Sequence, residues 1–145
     1  MHSAAAALEA ADYVIHAIPV VASADFFESS RHLIRPGVPI ISASKGITAD
    51  TLENMAQLLP RCLRNPAQPL ALISGPSFAR ELLRDRPTAV VVAAADEGLR
   101  SAVQALFASP VMRVYVFAVT VHYPCSPLPV VRVRAVVVLL GCAPI

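Results

Sequence analysis

Lys45 carries the only ammonium side chain in this sequence: of its twelve Lys and Arg residues, all the others are arginine. It stands in Ser42-Ala43-Ser44-Lys45-Gly46, where the apolar pair Ile40-Ile41 breaks into small residues. A second small-residue turn, Ser74-Gly75-Pro76-Ser77-Phe78-Ala79, follows the apolar run Leu70-Ala71-Leu72-Ile73. A fixed cation at a strand end can hold a phosphate or polarise a carbonyl oxygen, and a hydroxyl such as that of Ser77 can add a hydrogen bond to the same charge. A glycine such as Gly75 lets ligand and backbone approach closely, because it has no Cβ. Each residue also has a plainer use. Lys45 can be a solvated surface side chain, Gly75 a turn residue, Ser77 a helix cap and Ala79 a small packing residue.

The elements that must position these residues are legible in outline. Asp12 opens an apolar run over 13–18 that Pro19 ends, and its continuity suits a strand covered on both faces. Further strands are expected from Ile40 into the lysine turn, at 70–73, at 88–93 and at about 111–116. Between them lie helical patterns. Ser23 is the expected cap of a helix whose Phe26, Phe27, Ser30, Leu33 and Ile34 fall at roughly helical spacing, with Pro36-Gly37 as its stop. Thr48 or Asp50 is expected to cap the next helix, Asp50 and Glu53 forming a capping box. Leu52, Met55, Ala56, Leu59 and Leu63 would be its buried stripe, and Pro60 should end or kink it. Asp96 caps a third helix carrying Leu99, Val103, Leu106 and Phe107, and residues 1–11 are alanine-rich and helix-compatible.

Strand and helix alternate, which predicts a doubly wound, mostly parallel α/β sheet. Right-handed crossovers would bring Lys45 and the 74–79 turn to one sheet edge. Ligands collect there in open α/β sheets.

A length of 145 residues suits one domain. The chain is 56% hydrophobic and 15% charged, against about a quarter charged for an ordinary soluble domain. Either a partner covers unusual area or part of the native covering is missing. A net charge of +2 with dispersed arginines leaves no nucleic-acid footprint. Cys62, Cys125 and Cys142 are widely spaced, with no Cys-x-x-Cys and no paired histidines. This argues for a reducing compartment and against a disulfide framework or a zinc site. No secretory signal is visible. From Phe117 the pattern fails, dividing the chain into 1–116 and an apolar, proline-rich tail over 117–145. The tail's Val/Arg alternation suits an edge strand, and it is too short and too charged to span a bilayer.

Three segments, Ile40 through Ile47, Leu72 through Glu81 and Leu106 through Tyr115, resemble in order and spacing the NAD(P)-dependent glycerol-3-phosphate dehydrogenase family. The resemblance covers about Asp12 to Tyr115. It implies a Rossmann-type domain, NAD or NADP as cofactor, and the reversible reduction of dihydroxyacetone phosphate to sn-glycerol 3-phosphate. In that family the lysine of the Ser-Lys-Gly turn reaches both cofactor and substrate, a role that passes to Lys45. Gly75 and Ser77 inherit substrate contacts, while Ala79 and, in the loop after the first strand, Ala22 inherit cofactor contacts.

The family's opening Gly-x-Gly-x-x-(Gly/Ala) loop, which holds the pyrophosphate, has no counterpart here. Its proton-donating lysine in a later Gly-Ala-Leu-Lys-Asn matches no residue either, so no catalytic residue is carried over. The expectation is an internal fragment of the dinucleotide-binding domain, inactive by itself, with a tail unlike the family. The cytoplasm is the expected compartment, with an organelle such as the plastid left open, as is assembly into a homo-oligomer. A reading from another class is a non-catalytic α/β interaction module that pairs with another chain through apolar strand edges. A relative acting on a different hydroxy acid is a third.

Overall fold

The computed structural model describes residues 4–77 and 79–118. In chain order the elements are α1 (Ala4–Glu9), β1 (Val14–His16), α2 (Val20–Ser30) running into a 3-10 turn (Arg31–Leu33), β2 (Ile40–Ser42), α3 (Met55–Leu63), β3 (Leu70–Ser74), α4 (Ala79–Leu82), β4 (Thr88–Ala94), α5 (Glu97–Phe107) and β5 (Met112–Ala118). The strands form one sheet in the order β1-β2-β3-β4-β5. Pairing is parallel from β1 to β3, antiparallel between β3 and β4, and parallel again between β4 and β5. The expected doubly wound, mostly parallel sheet is therefore present. Its one antiparallel step arises because the short α4 connection returns the chain along β4 from the edge at which β3 ended.

Alternation along the strands divides the apolar side chains between two cores. Val14, Ile40 and Phe27 share one core with Met55, Leu58, Leu59 and Cys62 of α3. Ile41, Ala71, Ile73, Val90, Val92, Ala94 and Val114 share the other with Leu99 and Val103 of α5. Strand β2 thus has both faces covered, with Ile40 and Ile41 fully buried on opposite sides. Burying such a side chain contributes about 1.5–3 kcal/mol relative to leaving it in water.

Several local expectations need correction. Strand β1 is not covered on both faces, since Ile15 is 54% exposed. It stands at the sheet edge, whereas α5 packs on β3, β4 and β5. Ser23 does not cap α2; Pro19 occupies the cap position, and Ser23 lies inside the helix, fully buried. The capping box of α3 is Asn54 with Gln57 rather than Asp50 with Glu53. Thr48 and Glu53 instead close a turn, in which the Thr48 N–H donates to the Glu53 carbonyl at 2.9 Å and Thr48 Oγ1 accepts from the Glu53 N–H at 2.9 Å. That turn places Leu52 in solvent, while Leu58 and Cys62 join the buried stripe. Helix α3 continues through Pro60 to Leu63 and ends where Arg64 takes a left-handed conformation, φ 53°. Leu106 of α5 is half exposed. Strand β5 extends to Ala118, and the tail over 119–145, including its expected edge strand, lies outside the described residues.

The reassigned cap gives a direct test. Asn54→Ala removes the acceptor for the Gln57 N–H and should lower stability by about 1 kcal/mol, measured by urea denaturation. Asp50→Ala, at an exposed turn position, should leave the midpoint unchanged.

Candidate functional site at the strand tips

Parallel pairing places Ile40 beside both Val14 and Leu70, and carries Ser42 level with His16 and Leu72. The chain leaves β2 and β3 at the same edge of the sheet. There the Lys45 ammonium crosses between the two turns and donates to the Gly75 carbonyl oxygen at 2.7 Å and to Ser77 Oγ at 3.4 Å. The same carbonyl accepts the Ser77 N–H at 2.8 Å, and Thr88 Oγ1 ties the turn to β4 by donating to the Pro76 carbonyl at 3.1 Å. Lys45, Gly75 and Ser77 are thus brought together, with Lys45 exposed to solvent. A cation and a hydroxyl held side by side at the carboxyl ends of parallel strands form a donor set for an oxyanion or a phosphate.

The remaining expected residues are less closely joined. Ala22 lies in the first turn of α2 and is exposed. That turn borders the lysine turn, for a Cβ built on Gly46 would lie 3.7 Å from Val20 Cγ2. Ala79 opens α4, where only its backbone is described. Gly75 has a role within the chain itself: a Cβ there would meet the Ala89 carbonyl oxygen at 2.6 Å and Val90 Cα at 2.9 Å. The glycine is required by the close passage of β4, whatever its carbonyl does for Lys45.

Beneath the lysine turn is a polar cluster that reading the sequence missed. His16 is 3% exposed. Its Nδ1 lies 3.0 Å from Ser42 Oγ and 3.2 Å from Ser44 Oγ, and its Nε2 lies 3.1 Å from Ser23 Oγ. The ring packs edge-on against Phe27, with centroids 4.9 Å apart. Burial pushes the imidazole below its ordinary pKa, favouring the neutral ring. In the sequence, His16 sits inside an apolar run and the serines lie at three other places. The readable signal was a histidine inside one apolar run and a serine ending another, which parallel strands bring level.

Two hollows flank the sheet, and Lys45 lines neither. One, of about 580 Å³, runs along Thr88 and Ala108 to Val114. The other, of about 410 Å³, lies between α3 and the end of β4, with Leu70, Leu72 and Ala93 in its wall. Among the described residues no three metal-ligating side chains cluster, Cys62 is a free buried thiol, and no helix is long and apolar enough to cross a membrane.

A mostly parallel sheet with helices on both faces and a cation at its strand tips defines a doubly wound α/β domain. The family described as the N-terminus of NAD-dependent glycerol-3-phosphate dehydrogenase matches residues 1–100. The chain is 50% identical over 111 residues to the chloroplastic glycerol-3-phosphate dehydrogenase [NAD(+)] 2 of Arabidopsis thaliana, covering 77% of this chain and 26% of that protein. It is 37% identical over 109 residues to the glycerol-3-phosphate dehydrogenase [NAD(P)+] of Nitratidesulfovibrio vulgaris, covering 75% of this chain and 33% of that one. The crystal structure of the Coxiella burnetii glycerol-3-phosphate dehydrogenase superposes with a TM-score of 0.68 at 26% identity, over 79% of this chain and 34% of the other. This chain belongs to the NAD-dependent glycerol-3-phosphate dehydrogenase family and corresponds to its N-terminal domain. It spans about a quarter to a third of the length of these curated relatives.

Two outcomes follow from the site geometry. Gly75→Ala should cost about 1–3 kcal/mol of stability through forced displacement of β4, whereas Ser77→Ala should change stability by less than about 0.5 kcal/mol, both measured by urea denaturation. For His16 the folded pKa lies below the unfolded value, so the unfolded chain binds more protons in the interval between them. Its contribution to stability is complete above about pH 6.5 and is lost as pH falls from there towards the folded value. Denaturation midpoints measured from pH 7.5 down to 5 should show this fall, and His16→Asn should flatten it.

Proposed function

We propose that residues 4–118 supply the strand-tip half of a glycerol-3-phosphate dehydrogenase site, with Lys45, Gly75 and Ser77 at the phosphorylated three-carbon substrate. The observation that carries this reading is the Lys45 ammonium held against the Gly75 carbonyl and Ser77 Oγ at the ends of β2 and β3. Both donors suit either end of the substrate. The cation attracts its phosphate or the oxygen of its carbonyl, and the Ser77 hydroxyl can turn its proton to the same atom.

The chain's residues fit NAD or NADP in part. The strand tips, the bordering first turn of α2 and the ammonium suit the nicotinamide end, while no glycine-rich turn for the pyrophosphate occurs in the sequence. When bound, the reduced nicotinamide supplies a hydride to the carbonyl carbon. Lys45 and Ser77 then stabilise the charge gathering on the carbonyl oxygen. Ala22 and Ala79 fit the cofactor side by position alone. The proton that completes the alcohol has no donor among the matched residues, and no second lysine exists to give it.

Binding without turnover is therefore the expected behaviour of the chain. Isothermal titration with glycerol 3-phosphate should give saturable heat that Lys45→Ala weakens at least about tenfold, the worth of a charge-assisted hydrogen bond. Equal affinity in wild type and variant would overturn the assignment of Lys45. Oxidation of NADH by dihydroxyacetone phosphate should stay at background, and a rate abolished by Lys45→Ala would overturn the expected inactivity. A reducing compartment, the cytoplasm or a plastid, suits a chain whose cysteines show no pairing pattern.

Exposed apolar residues on both edge strands favour a second reading, self-association of two copies. Tyr13 and Ile15 are 38% and 54% exposed at β1, and Tyr115 and Phe117 are 50% and 53% exposed on β5. Open edges of this kind template pairing with another strand. Sedimentation equilibrium should then return a dimer that Ile15→Lys or Phe117→Lys dissociates; a monomer throughout would remove this reading.

A further inference from the structure

We propose that His16, held as its Nε2–H tautomer among Ser23, Ser42 and Ser44, is a positioning residue that fixes the turn presenting Lys45. The inference rests on the reading of Lys45 as the ligand-facing cation, and it adds how a side chain on a different strand holds that cation in place.

The hydroxyl protons can be assigned one at a time. Ser23 Oγ donates to the Pro19 carbonyl at 3.1 Å. A serine has one proton to give, so across its 3.1 Å contact with His16 Nε2 it must accept. Nε2 therefore carries the hydrogen. Ser44 Oγ donates to the Ile18 carbonyl at 2.6 Å, which leaves Ser42 Oγ as the donor to Nδ1 at 3.0 Å. In the neutral ring each of these donors then has an acceptor and each proton one place. No buried side-chain nitrogen or oxygen among the described residues lacks a partner.

The two ring nitrogens consequently serve different elements. Nε2 anchors the first turns of α2 through Ser23. Nδ1 faces Ser42 and Ser44, the residues leading into Lys45, while the His16 carbonyl accepts the Ala43 N–H at 2.8 Å. His16 thus holds Ser42 through its ring and Ala43 through its backbone carbonyl. The Ile18 carbonyl, at the exit of the same strand, holds Ser44 immediately before the lysine. Lys45 is exposed and has four side-chain torsions of its own, so its reach to Gly75 and Ser77 depends on where Ser44 holds its backbone.

The two amide replacements of histidine separate these roles. His16→Asn places an acceptor near the position of Nδ1, and His16→Gln places a donor near that of Nε2. Because Lys45 is the only lysine, protein grown with 13C-labelled lysine reports on it alone. In wild type its two ε-proton resonances should be distinct, as in a side chain held in one geometry. They should remain distinct in His16→Asn and merge in His16→Gln, with glycerol 3-phosphate affinity falling about tenfold in the latter. Ser42→Ala, which leaves the ring in place and removes the donor to Nδ1, should merge them as well and serves if His16→Gln fails to fold by circular dichroism. Distinct resonances in both His16→Gln and Ser42→Ala, or merged resonances already in wild type, would overturn the proposal. The lysine spectra need no ligand. Merging in His16→Gln alongside a wild type that binds no glycerol 3-phosphate upholds the positioning role and overturns only the ligand reading.

Discussion

Strand β2 is three residues long and is buried on both faces, and the arrangement of the strand tips depends on its register. Ile40 and Ile41 are each fully buried, but on opposite sides of the sheet. A one-residue slip would exchange them, and because both are isoleucine β2 itself would scarcely register the change. The neighbours do. On β1 a slip would turn Ile15 inward in place of Val14 and His16. On β3 it would drive Leu70 or Leu72 into the space of Ala71, which is fully buried in the core that α5 closes. Register is strongly specified wherever a face is buried, and here the smallest residue of the set does much of the specifying. Once it is fixed, Ser42 lies level with His16 and the chain must leave β2 beside the exit of β3.

The strands, the mostly parallel pairing and the meeting of Lys45 with the 74–79 turn were legible because they follow from apolar runs and punctuation, which are local. Each error came from a decision that local sequence leaves open. Asp50 with Glu53 satisfies the spacing of a capping box as well as Asn54 with Gln57 does. Choosing between them requires knowing that Thr48 closes a turn onto Glu53 and spends those residues before the helix begins. Ser23 after Pro19 looks like a cap, but proline pre-sets the backbone of the helix entry, and the helix starts at once. The apolar run over 13–18 suits burial on both faces. Its exposure is a property of the layer above it, where α5 packs on β3, β4 and β5, and no periodicity within the run encodes that.

The His16 cluster shows a different limit. A histidine inside an apolar run reads as part of the strand, and its partners are 7, 26 and 28 residues away. Such a group costs about 1–3 kcal/mol if buried without partners, so its burial beside the first core is tolerated only because helix α2 and the end of β2 bring hydroxyls to its two nitrogens. The edge-on contact with Phe27 adds an apolar wall on the helix side. An apolar residue at 16 would leave Ser42 Oγ without the acceptor that Nδ1 provides at the exit of β2.

The strand-tip ammonium is not explained by stability. A hydrogen bond from an exposed lysine to a carbonyl is worth little in water, where solvent competes for both groups. The same contact gains strength as water is displaced, since the interaction of two charges at 4 Å rises from about 1 kcal/mol in bulk water to about 4 kcal/mol near a protein surface. A phosphorylated ligand at the strand tips would displace part of that water and bring the opposite charge. Lys45 and Ser77 would therefore hold an anionic group more strongly the more water is displaced around them.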